Sequence, residues 1–143
     1  MFYQKLKRDT KFLIILGIIL LVIALVPFES LIVPEWQIKV IDSKGNSLPN
    51  RKVIQTWVHF SLESVYFHED RRQTNNEGIV VFPERTVKAS LAKRSFAKFG
   101  DFLRFFNPHA SSGPHSYVFS ESSRNGLRYE GTGELETVLI END

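Results

Sequence analysis

Four histidines, His59, His68, His109 and His115, are the residues of this chain best suited to acid–base or metal chemistry. Each titrates near neutrality and can ligate a metal through a ring nitrogen. His59 and His68 flank the link between two expected strands, and His109 and His115 flank a glycine–proline loop. Catalysis or metal binding needs such groups to converge in space, which spacing alone does not dictate. No His-Glu-x-x-His pair is present to hold zinc. Ser111-Ser112-Gly113 lacks the Gly-x-Ser-x-Gly elbow of a hydrolase serine. With no cysteine in 143 residues, disulfides, thiolate metal sites and cysteine nucleophiles are excluded. The histidines read as surface or hydrogen-bonding groups, and Glu69-Asp70-Arg71-Arg72 reads as a solvated charge run. No catalytic residue, metal site or cofactor is expected.

The elements that position these residues fall into two unlike parts. From Phe12 to Phe28 run seventeen residues without a charge. As a helix they span roughly 25 Å at about 1.5 Å per residue, the short end of what crosses a hydrocarbon core. Leu31, Ile32 and Val33 extend the run. Residues 1–11 hold four basic residues and one acid, whereas residues 12–143 carry a net charge of −1. The small formal charge of +2 is therefore a topology signal, with the amino terminus on the cytoplasmic side. A charge this small gives no reason to expect nucleic acid as a partner. A buried core helix would not start behind a basic cluster. A cleaved signal peptide shares the basic start, with Val22 and Ala24 at a candidate cleavage site, but that site falls inside the apolar run. An uncleaved signal anchor over 12–33 is the expectation, between a basic cytoplasmic segment 1–11 and an extracytoplasmic domain 34–143.

That domain reads as β-structure. Glu35 to Asp42 alternates with Trp36, Ile38 and Val40 on one face. Arg51–Phe60, Val65–Thr74, Ile79–Phe82, Ser116–Ser120, Leu127–Tyr129 and Glu134–Ile140 complete seven short strands. The turns Asp42-Ser43-Lys44-Gly45-Asn46, Asn75-Asn76-Glu77-Gly78 and Ser123-Arg124-Asn125-Gly126 punctuate them. Seven strands in about 110 residues suit an immunoglobulin-like sandwich. Between Val87 and Phe106 the period changes. Leu91, Ser95, Phe99, Phe102 and Phe106 line one side at helical spacing, and Lys93, Arg94, Lys98 and Arg104 fall mostly opposite. A stripe of this kind packs by default on its own sandwich. Its alternatives are the outer leaflet, with the four basic residues at anionic head groups, and a groove on a partner protein. Lys93, Arg94, Lys98, Arg104, Phe99 and Phe102 are thus the candidate contact residues.

Val40-Ile41-Asp42-Ser43-Lys44-Gly45-Asn46-Ser47-Leu48-Pro49-Asn50-Arg51-Lys52-Val53, then Trp57, then Thr74-Asn75-Asn76-Glu77-Gly78-Ile79-Val80-Val81-Phe82-Pro83, resembles the carboxypeptidase regulatory-like domain family. The later His109-Ala110-Ser111-Ser112-Gly113-Pro114 and Tyr129-Glu130-Gly131 look like its small membrane-anchored bacterial members. The resemblance covers about 100 residues from Trp36 onward. It implies a prealbumin-like (transthyretin-like) seven-stranded Greek-key sandwich, here with one inserted helix, behind the transmembrane helix. Gly45, Pro49 and Gly78 are then turn residues rather than chemical ones. Zinc carboxypeptidases carry such a domain beside their catalytic domain, and no catalytic domain is recognisable here. Hydroxyisourate hydrolases share the fold but rely on a carboxy-terminal Tyr-Arg-Gly-Ser, where this sequence reads Ile140-Glu141-Asn142-Asp143.

The expected protein is a non-enzymatic binding or scaffolding module. It touches the lipid bilayer through residues 12–33 and displays its domain outside the cytoplasm, in the periplasm of a two-membrane cell. An envelope protein is its candidate partner. The alternatives are a secreted form after signal cleavage and a small hydrolase or metal-dependent enzyme built on the histidines.

Overall fold

A computed structural model describes residues 2–63, 66–104, 111–123 and 125–141, with the side chains of 2–9 and of Arg104 outside the description. Their order is α1 (Phe2–Leu25), β1 (Pro27–Val33), β2 (Trp36–Asp42), β3 (Lys52–His59), β4 (His68–Gln73), β5 (Ile79–Phe82), β6 (Arg85–Ser90), α2 (Leu91–Arg104), β7 (Pro114–Ser120), β8 (Gly126–Tyr129) and β9 (Val138–Glu141). The fold is mainly β. The strands form three sheets, in the orders β1-β6, β5-β2-β9 and β4-β3-β7-β8. β2 pairs antiparallel with β5 and parallel with β9, while the four-stranded sheet is antiparallel throughout. This distribution differs from the immunoglobulin arrangement, where the first two strands share a sheet; here β1, β2 and β3 lie in three different ones.

All seven expected strands are present, but the described residues form nine, and the count of seven is corrected. The two additional strands, β1 and β6, come from segments assigned to helices. Pro27 explains the first. It disfavours helical geometry at Val26 and supplies no N–H of its own, so α1 ends at Leu25 and the chain continues extended. The segment 27–33 thus belongs to the β-domain and not to an anchor reaching residue 33. Ile32 and Val33 are core residues. The second, β6, pairs with β1 from Pro27↔Ser90 to Val33↔Arg85, with a bulge between Leu31 and Val33. Val87 and Ala89 point inward and Thr86 and Lys88 outward, so α2 starts at Leu91 rather than at residue 87 or 88. Phe106 and the expected helix end lie outside the described residues, as do His109, Arg124, Asn142, Asp143 and the start of the third expected strand at Val65.

One core closes the domain. Trp36, Ile38 and Val40 of β2 meet Val53, Val58, Val80, Phe82, Val118, Leu127 and Leu139, and Ile32, Val33, Val87 and Ala89 join from the β1–β6 ribbon. Trp36 is fully buried, donates its indole N–H to the Glu136 carbonyl at 2.7 Å and meets Tyr129 edge-on. Truncating such a side chain to alanine costs about 3–5 kcal/mol.

The two turn motifs interlock. Gly45 and Gly78 adopt φ of +87° and +77°, and Asn50, after Pro49, adopts +56°. The Val40 N–H donates to the Gly78 carbonyl at 2.8 Å and the Leu48 N–H to the Val40 carbonyl at 3.0 Å. Thr74 is the buckle. Its buried hydroxyl donates to the Leu48 carbonyl at 2.7 Å and accepts from the Arg51 N–H at 2.9 Å.

Candidate functional site

α2 carries all six candidate contact residues, and its orientation decides what they can touch. At about 100° per residue, Leu91, Phe96, Phe99, Phe102 and Leu103 fall within an arc of about 140°. That arc faces outward: Phe96 is 77% exposed, Phe99 61% and Phe102 62%. The opposite arc faces the domain. Ala97 packs against the core, and Asp101 accepts a hydrogen bond from the Ser61 hydroxyl, 2.7 and 2.8 Å from its two carboxylate oxygens. The helix is therefore held by its polar side, and the default expectation of a stripe packed on its own sandwich is corrected.

Arg94 sets this orientation. Its guanidinium donates to the Ala89 carbonyl at 3.1 Å, to the Ser30 hydroxyl and to the Phe28 carbonyl at 2.7 Å. It also lies over the Phe28 ring. Three acceptors and an aromatic face use most of what a planar guanidinium offers. Arg94 is thus a clamp between α2 and β1, unlike Lys93 and Lys98, which are exposed. Arg104 ends α2, and its side chain lies outside the description.

Beneath α2 is a cleft of about 470 Å³ lined by Phe28, His59, Ser61, Leu62, Leu91, Arg94, Lys98 and Asp101, among others. The Ser61 hydroxyl accepts from the Gly113 N–H at 3.0 Å while donating to Asp101. It ties two loops to the helix. His59 closes β3, its backbone N–H donating to Glu63 at 2.8 Å. Its Nδ1 is buried without a hydrogen-bond partner among the described residues, and burial holds its pKa below the ordinary 6.5 against the raising influence of its own backbone and of Glu63. A neutral imidazole is the form this setting favours.

The other two described histidines flank β3 near its His59 end, His68 opposite Trp57 and His115 opposite Val58. His68 stacks on Trp57 and lies 3.0 Å from Glu63 Oε1. His115 lies 3.0 Å from the Ser112 carbonyl and edge-on to Phe60. Among the described residues no group of three His, Asp or Glu side chains is placed to hold a metal ion.

The charge run at 69–72 is only partly solvated. Asp70 accepts from Arg85 at 2.5 Å and from Arg72 at 3.0 Å. Burial pushes its carboxyl upward, but the hydrogen bonds and charges of these arginines outweigh it, leaving the pKa below 3.8. Arg85 also donates to the buried Gln55 at 3.0 Å and lies over the Trp57 ring at 4.1 Å. At the far end of the core, buried Glu141 accepts from Ser120 and Ser122 and meets Arg51 at 3.7 Å. Both polar cores join residues far apart in sequence, so no local pattern announces them.

No family model, curated protein or solved structure matches this chain.

The geometry at the end of the domain is unusual in one respect. α1 exposes Phe12 to Leu25 almost all round its circumference. Among the described residues no helix is long and apolar enough to cross a membrane. The apolar part of α1, residues 12–25, rises about 21 Å at 1.5 Å per residue. Val26, Phe28 and Leu31 continue the exposed apolar surface beyond the helix.

Proposed function

We propose that the protein is a non-enzymatic binding or scaffolding module of the carboxypeptidase regulatory-like, prealbumin-like kind. A single amino-terminal span tethers it to the membrane and displays it on the extracytoplasmic side. The observation that carries this reading is the junction at Pro27. An exposed apolar helix behind a basic segment runs, with one intervening residue, into a strand whose Ile32 and Val33 are core residues. Apolar surface of this extent is costly in water and favourable in lipid. The short apolar rise is extended by Val26 at one end and by Lys11 at the other, since lysine snorkels to the interface. The basic residues before the span favour a cytoplasmic amino terminus. For the family reading, support comes from the two turn motifs, which meet through Gly78 and Thr74. Its ligand is of unassigned chemistry, and an envelope protein is the partner class that fits a displayed domain.

Expression of the full chain followed by alkaline carbonate extraction and intact mass tests the tether. The expected product stays in the membrane pellet at full length. A soluble product starting after Ala24 selects the secreted form, and a soluble full-length chain overturns the anchor.

A further inference from the structure

We infer that α2 is a second membrane contact. It lies along the head-group boundary of the leaflet from which the β-domain emerges, its apolar arc in the acyl region. This inference rests on the anchor reading of α1 and goes beyond it, because a single span alone leaves the domain free to tumble.

Three observations carry it. The first is polarity. A helix held to its domain through Ala97, Arg94 and Asp101 turns Phe96, Phe99 and Leu103 away from the core of the described residues. Phenylalanines so placed, on a helix of low overall hydropathy with lysines on its polar face, are the pattern of an interfacial helix. The second is position. β1 and β6 are antiparallel, with Pro27 opposite Ser90, so α1 enters and α2 leaves at the same end of the ribbon. α2 packs beside α1 there and reaches Ser61, on the loop after β3, through Asp101. It therefore crosses the end of the domain from which the anchor emerges. The third is charge. Lys93 and Lys98 border the apolar arc on its two sides, where their stems can lie along acyl chains and their ammonium groups can reach head-group phosphates. The Arg94 clamp fixes the angle between this helix and the strand that follows the anchor.

The chain has no cysteine, so single cysteines report depth without a background. Full-length L20C, F96C, F99C and S43C are spin-labelled in vesicles of phosphatidylcholine containing phosphatidylglycerol. Collision with oxygen, which partitions into lipid, is compared with collision with a water-soluble nickel chelate. The expected result is that positions 96 and 99 shift to the lipid side with position 20, while position 43 in the β2–β3 turn stays aqueous. Positions 96 and 99 behaving like position 43 while position 20 is in lipid overturns the inference and leaves the anchor standing. Protection of 96 and 99 from both quenchers places them against protein, such as a second copy, and also overturns it. An aqueous position 20 overturns the anchor and this inference with it.

Discussion

The Arg94 guanidinium lies 4.0 Å from the centre of the Phe28 ring and donates to the Phe28 carbonyl at 2.7 Å. These two residues stand sixty-six positions apart and tie α2 to the strand that follows α1. Phe28 is the second residue of the strand after α1, and Arg94 is the fourth residue of α2. Whatever fixes β1 in space thereby fixes α2.

Replacing Arg94 with alanine removes hydrogen bonds from a charged donor and one cation–π contact, an expected loss of about 2–3 kcal/mol. R94K restores only a minor part, because one ammonium cannot serve the carbonyls of Ala89 and Phe28 and the Ser30 hydroxyl in one plane. Urea unfolding of the full chain in detergent checks the order: wild type, then R94K, then R94A. Equal stability of R94A and wild type contradicts the clamp.

Glycine is required at position 78 for two reasons and at position 45 for one. Both have positive φ, which costs an alanine about 1–2 kcal/mol. At Gly78 an added Cβ also comes within 2.9 Å of the Val40 carbonyl oxygen and 3.0 Å of the Leu48 nitrogen, whereas Gly45 faces open space. G78A is therefore expected to destabilise more than G45A, as read from the urea midpoints of the two variants. The reverse order contradicts the interlocked turns.

Asp70 links stability to acid pH. Its folded pKa lies below the ordinary 3.8, so its contribution is complete above that value and is lost as pH falls through the folded pKa. D70N is expected to cost about 2 kcal/mol at neutral pH. The gap to wild type closes below the folded pKa, as unfolding measured from pH 7 to pH 2 would show. A gap independent of pH contradicts the assignment.

His59 acts higher on the scale. Its folded pKa is lowered from 6.5 by burial, so its neutral form stabilises fully above that value. The stabilisation is lost as pH falls below 6.5 toward the folded pKa. H59Q is expected to flatten the stability profile below pH 6.5, and an unchanged slope rules His59 out as its source.

Local patterns in the sequence marked the strands well, because their inward faces alternate: Trp36, Ile38 and Val40 alone announce β2. The two strands it concealed have physical excuses. β1 is written in the same apolar residues as the preceding helix, and only Pro27 separates them. β6 offers just Val87 and Ala89 to the core, and Val87 continues the four-residue spacing of Leu91 and Ser95. For the candidate site, the sequence revealed the amphipathic stripe of α2 but not which side faces the domain. That choice is made by Arg94 and Asp101, whose partners Phe28 and Ser61 lie dozens of residues away. Gln55, Arg85 and Asp70 were hidden for the same reason.

The central claim is a tethered domain outside the cytoplasm, and thiol labelling of intact cells tests it most directly. S43C in the β2–β3 turn and Q4C ahead of the apolar run are each treated with a membrane-impermeant maleimide, before and after lysis. A displayed domain predicts that S43C reacts in intact cells and Q4C only after lysis. Labelling of S43C only after lysis, or of Q4C in intact cells, contradicts it.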